Sequence, residues 1–107
     1  MKIAIPIDTK QKSSIVSKKF ARSSFFALVD KENKSYELID NPFKDLNLGV
    51  GKKLLNLLVQ DYNTDTLLAF ELGLKVQQMA TAANLQLIII SEKRQTLKQL
   101  LAYLKVE

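Results

Sequence analysis

The chain has 107 residues, 47% of them apolar and 25% charged, and a formal charge of +5. That length and balance fit a single domain spanning residues 1–107, able to bury its own core. It contains no histidine and no cysteine, which excludes disulfides, the commonest transition-metal ligands and the usual neutral-pH acid-base group, and leaves hydroxyls, carboxylates, lysines, arginines and backbone for any chemistry.

Residues 2–7 read as a first strand. The connection after it, residues 8–23, holds Lys10, Lys12, Lys18, Lys19 and Arg22 against one acid, Asp8, and so carries +4 of the total charge. A polar connection of about sixteen residues is unusual in a compact domain without a function, and it is expected to be mobile. Residues 24–29 form a second strand, apolar on both faces as an interior strand should be. Only Asp30 to Asn33 separate it from residues 34–40, where Tyr36 and Leu38 alternate with Ser35, Glu37 and Ile39, the pattern of a hairpin ending in an edge strand. Asn41-Pro42 signals a turn. Val50, Leu54, Leu57 and Leu58 then recur at helical spacing, as do Val76, Met79, Ala80 and Ala83, and later Leu97, Leu100, Leu101 and Leu104. Short apolar runs at 66–70 and 85–90 between these helices have the character of buried parallel strands.

The order is therefore β-β-β-α-β-α-β-α, an α/β domain with a mixed sheet in which strand 2 is antiparallel. Right-handed crossovers put the basic connection and the starts of all three helices on one edge, the helices beginning at Gly49-Val50-Gly51-Lys52, at Glu71-Leu72-Gly73 and at Ser91-Glu92-Lys93-Arg94. Free helix N–H groups beside a basic loop favour anions. Ligands of open α/β sheets also gather where the winding direction switches, here between strands one and four.

Several segments together resemble one family. Ile3-Ala-Ile-Pro-Ile-Asp8, Val16-Ser17-Lys18-Lys19-Phe20-Ala21-Arg22-Ser-Ser-Phe-Phe26, Asn41-Pro42, Gly49-Val50-Gly51 and Glu71-Leu72-Gly73 are similar, in order and spacing, to the dinitrogenase iron-molybdenum cofactor-binding family. The resemblance spans nearly the whole chain. It implies a ribonuclease H-like three-layer domain, a five-stranded sheet of order 3-2-1-4-5, and kinship with nitrogenase accessory proteins that bind or carry the iron-molybdenum cofactor or its precursor. Where the family typically reads Val-Ser-Pro-His-Phe-Gly-Arg, this chain has lysine at 19 in place of histidine and alanine at 21 in place of glycine. Phe70-Glu71 replaces a glycine pair. A protonated lysine is a poor ligand for iron or molybdenum, and no side chain is expected to ligate metal directly.

The expectation is a non-catalytic carrier for an anionic small molecule or metallocluster, held by charge and backbone amides. Ser17, Lys18, Lys19, Arg22, Lys52 and the Gly51 amide form the expected cradle, with Phe20 fixing the loop to the body. Each of these residues also has an ordinary role, as solvated surface, core or helix start. The alternative is an interaction module that docks an acidic protein or nucleic acid through the basic loop; nucleic acid ranks lower, because the chain offers no obvious stacking platform. An enzyme would need converging carboxylates, and among Asp8, Asp40, Glu71 and Glu92 only Asp8 and Glu71 make a plausible pair. Turn and helix-start roles account for both more simply, so no catalysis is expected. Residues 1–6 have neither the apolar core nor the cleavage site of a signal peptide, and no run is long enough to span a membrane. A cytoplasmic location is expected.

Overall fold

Alternation of β-branched and small residues decides how the first strand sits. In the computed structural model, which describes residues 1–91 and 94–106, β1 (Lys2–Ile7) turns Ile3, Ile5 and Ile7 to one face and Ala4 to the other. Residues 3–7 are all buried, so this strand lies at the centre of the sheet. It pairs antiparallel with β2 (Phe25–Asp30), which pairs antiparallel with β3 (Ser35–Asp40). On its other side it runs parallel to β4 (Thr66–Ala69), and β4 runs parallel to β5 (Gln86–Ile89). The sheet order is β3-β2-β1-β4-β5, as the family resemblance implies, and strand 2 is antiparallel.

Three helices complete the layers. On one face α1 (Val50–Asn56), continued by a π-helical turn at Leu57–Asp61, packs beside α2 (Leu74–Ala82) over Ala4, Phe26 and Leu67. On the other, α3 (Leu97–Tyr103) covers Ile3, Ile5, Ala27 and Leu68 with Leu97, Leu100 and Leu101. Burying each such leucine contributes roughly 1.5–3 kcal/mol, so the helix spacing read from the sequence is enough to fix both faces. Gly49 caps α1 with a φ of 74°, a left-handed conformation that favours glycine.

β1 and β4 stay paired only through Ile3–Thr66 and Ala4–Leu67. Beyond that point Pro6 has no amide hydrogen to donate to a ladder, and its carbonyl accepts the Ser17 N–H at 2.9 Å. Val16 forms an isolated antiparallel bridge with Ile7, and Ile15 another with Thr96. The basic connection thus folds back against the end of the central strand.

α3 begins later than expected. Its cap is Thr96, whose hydroxyl accepts the Gln99 N–H at 3.1 Å while the Gln99 side chain accepts the Thr96 N–H at 2.9 Å, a reciprocal capping box. The expected start at Ser91 to Arg94 includes Glu92 and Lys93, which lie outside the described residues.

Candidate functional site

The connection 8–23 is held in place along its length. The Ser14 hydroxyl, 4% exposed, accepts the N–H groups of Asp8 and Thr9 at 3.0 and 2.9 Å. Val16 N–H donates to the Gln95 carbonyl at 2.8 Å, and Leu97 and Lys98 donate to the carbonyls of Ser14 and Lys12 at 2.8 and 2.9 Å. Further along, Phe20 packs edge-on against Phe26 with ring centroids 5.2 Å apart, and the Ser23 hydroxyl lies 2.9 Å from the Ile7 carbonyl. Arg22 donates through Nη1 to the Lys44 carbonyl at 2.8 Å, and Asn41 Nδ2 donates to the carbonyls of Ala21 and Ser23. A mobile loop was the expectation; the structure shows one tied to the sheet and to α3.

That tie also corrects the picture of three open helix starts. The N–H groups of Leu97, Lys98 and Gln99 are all engaged, by the loop and by Thr96, so α3 presents no free amides to a ligand. Loop carbonyls and the Thr96 hydroxyl take up these amides.

Two adjoining cavities flank the loop. The larger, about 620 Å³, is lined among the described residues by Ile15, Val16, Lys18, Phe70 and Arg94. It lies at the carboxyl ends of β1 and β4, where these strands part and the winding direction switches. Its described walls pair an apolar surface, Ile15, Val16 and Phe70, with two cations, Lys18 and Arg94. The second cavity, about 370 Å³, is lined by Asp8, Ser17, Lys19, Arg22 and Ser23 together with Ile15 and Lys18. Lys18 and Ile15 stand between the two. The described lining of this neighbour has three cations and one carboxylate, again a balance that favours negative guests.

The sequence-predicted residues therefore divide. Ser17, Lys18, Lys19 and Arg22 come together with Asp8, although the Ser17 side chain is buried and its hydroxyl accepts the Lys19 N–H at 3.2 Å. Phe20, 4% exposed, lines neither cavity and anchors the loop in the core on the α1/α2 side. Gly51 is a packing residue. A Cβ there would stand 3.0 Å from Val76 Cγ2 and 3.3 Å from Met79 Cε, so the absence of a side chain lets α1 approach α2. Lys52 belongs to a separate groove along those helices and does not join the loop cations. Asp8 lines the smaller cavity and Glu71 lines neither; among the described residues no three His, Cys, Asp or Glu side chains are grouped to hold a metal. Lys10 is engaged elsewhere, 3.1 Å from Asp40 Oδ1.

Phe70 and Arg94 enter the site without having been singled out as ligand contacts. Phe70 sits directly after β4 at the switch point, and that position was a usable signal. Arg94 has a φ of 63°, and nothing in its local sequence announces that a non-glycine residue there turns toward the cavity. A further cavity of about 280 Å³ lies at the opposite pole, near Lys2, Asp30, Glu37 and Tyr62. With two carboxylates to one lysine it has the wrong charge balance for an anion.

Comparison with known proteins follows the same line. The family model described as dinitrogenase iron-molybdenum cofactor matches residues 1–105. The apo form of the orange protein from Desulfovibrio gigas superposes with a TM-score of 0.82 at 24% identity, over 94% of this chain and 83% of that one. A candidate NifB protein from Thermotoga, of the DUF35 family, superposes with a TM-score of 0.79 at 27% identity, over 97% and 86% respectively. No curated protein matches the chain significantly. Among the described residues no helix is long and apolar enough to cross a membrane.

Proposed function

The chain belongs to the dinitrogenase iron-molybdenum cofactor family, and we propose that it is a non-catalytic carrier which holds an anionic small molecule, a metallocluster or its precursor, by charge and apolar contact. The observation that supports this reading is the convergence of Lys18 and Arg94 on one cavity of about 620 Å³ at the β1/β4 switch point. Direct ligation of iron or molybdenum by the usual side chains does not fit this chain, which has no histidine or cysteine and places Lys19 where the family carries histidine. The negative charge of such a cargo does fit. Lys18 sits where it serves both cavities, and Lys19 and Arg22 extend the positive field across the rim. Ile15, Val16 and Phe70 supply an apolar wall, which lowers the local dielectric and strengthens the attraction.

A carrier has to release what it binds, and cationic side chains hold without forming a bond that must later be broken. Nucleic acid is a poorer guest. Phe20 and Phe26 are buried and the exposed Tyr103 lines neither loop cavity, which leaves half-buried Phe70 as the ring beside the loop cations among the described residues, a thin platform for stacking.

Anaerobic reconstitution with iron, sulfide and molybdate, followed by desalting, metal analysis and visible absorption, tests the proposal. Retention of metal by the chain, lost when Lys18 and Arg94 are both changed to alanine, is the expected result. Retention unaffected by that pair of changes, or none at all, would overturn it.

A further inference from the structure

The outer groove between α1 and α2 has a composition that the anion-carrier reading does not use. Lys52, Leu55 and Val59, with the polar Asn56 and Gln60 beside them on the same wall, face Met79, Ala82 and Ala83 of α2 across a cavity of about 350 Å³. These positions recur at three- and four-residue intervals, so each helix turns one stripe into the groove. Leu55 is buried at its floor, Val59 and Met79 are half-buried, and the two alanines are exposed. Leu74, 69% exposed, is the first residue of α2, and Leu48, 86% exposed, stands just before the cap of α1. One wall also passes into a π-helical turn at Leu57, a departure found frequently at functional sites.

Charge identifies the occupant. Lys52, Lys53 and Lys75 are the charged residues of α1 and α2, and the one acid of the walls, Asp61 at the end of the π-helical turn, faces a different cavity. The walls from Val50 to Asp61 run roughly 18 Å at about 1.5 Å per residue, room for about three helical turns. We propose that this groove docks an acidic amphipathic helix from another protein, with its apolar stripe on Val59, Met79 and Ala82 and its carboxylates toward Lys52 and Lys75. A second copy of this chain is a poor occupant: its one helix outside this layer, α3, exposes Lys98 and no acid, and like charges would meet. The proposal stands independently of what the loop cavities hold.

The test uses the whole chain and a synthetic helix of about 14 residues, leucines at i, i+3, i+4 and i+7 and glutamates on the flanks. A reordered peptide of the same composition is the control. In NMR titrations the expected result is saturable shifts of the Val59, Met79, Ala82 and Ala83 methyl groups with the patterned peptide only. Ala82→Glu and Lys75→Glu, both at exposed positions, should each weaken binding at least about tenfold while the sheet amides keep their shifts. Equal binding of the reordered peptide, shifts confined to residues 18–22, no saturable shift, or Ala82-sensitive self-association in sedimentation would each overturn the proposal.

Discussion

Removing Lys18 and Arg94 tests the charge argument quantitatively, with molybdate as the probe dianion. A unit charge pair at about 4 Å is worth about 1 kcal/mol in water and more where solvent is partly excluded. Both side chains are exposed, so the low end applies. For a dianion this gives about 1–2 kcal/mol per side chain, or roughly a 5- to 30-fold rise in Kd for each alanine substitution. Equilibrium dialysis or calorimetry at low salt measures it, and the difference should shrink toward 1 M salt, where the screening length falls to about 3 Å. Lys10→Ala is the internal control, because Lys10 is paired with Asp40 and lines neither cavity. If the double variant binds molybdate as the unmodified chain does, or if Lys10→Ala weakens binding as much, the reasoning fails.

Gly51→Ala sets two effects against each other, a helix-propensity gain of about 1 kcal/mol and a collision with Val76 Cγ2 at 3.0 Å that costs about 1–3 kcal/mol. Met79 can swing away but β-branched Val76 cannot, so urea denaturation should show a net loss of stability; a gain would mean that the helices are less tightly opposed. Ser14→Ala leaves the Thr9 N–H without its acceptor and the Asp8 N–H with only the Ile15 carbonyl at 3.4 Å, and should cost about 0.5–1.5 kcal/mol, with faster amide exchange across residues 8–16; unchanged exchange would show that the loop is held by other means. Asp30 is held below its ordinary carboxylate value of 3.8, chiefly by the backbone N–H and the side chain of Asn33. Its contribution is therefore present above that value and disappears as pH falls through the lowered folded-state pKa. Acid titration of stability should be shallower in Asp30→Asn below about pH 3.8, and identical titrations would remove Asp30 from the account.

The strands and helix faces were legible because burial on both sides of the sheet demands long apolar patterns. Residues 3–7 and 66–69 could hardly lie elsewhere. The charged connection was legible as a candidate site because its lysines crowd one segment. Its conformation was not: the bonds from Leu97 and Lys98 to the carbonyls of Ser14 and Lys12 join residues more than eighty positions apart, and no local pattern encodes them. Gly51 shows a further limit. A glycine at a helix start reads equally as a ligand-facing amide or as a packing contact, and only the position of Val76 distinguishes the two. Arg94 joined the cavity through a left-handed backbone that its neighbours do not signal.

An NMR titration of the whole chain with molybdate, followed at every backbone amide, addresses the seat of the anion most directly. Saturable shifts centred on residues 15–18, Phe70 and Arg94 are predicted. Shifts centred instead on Lys52 and the α1/α2 groove, or on the pole around Lys2 and Tyr62, would contradict the assignment of the anion to the parting of β1 and β4.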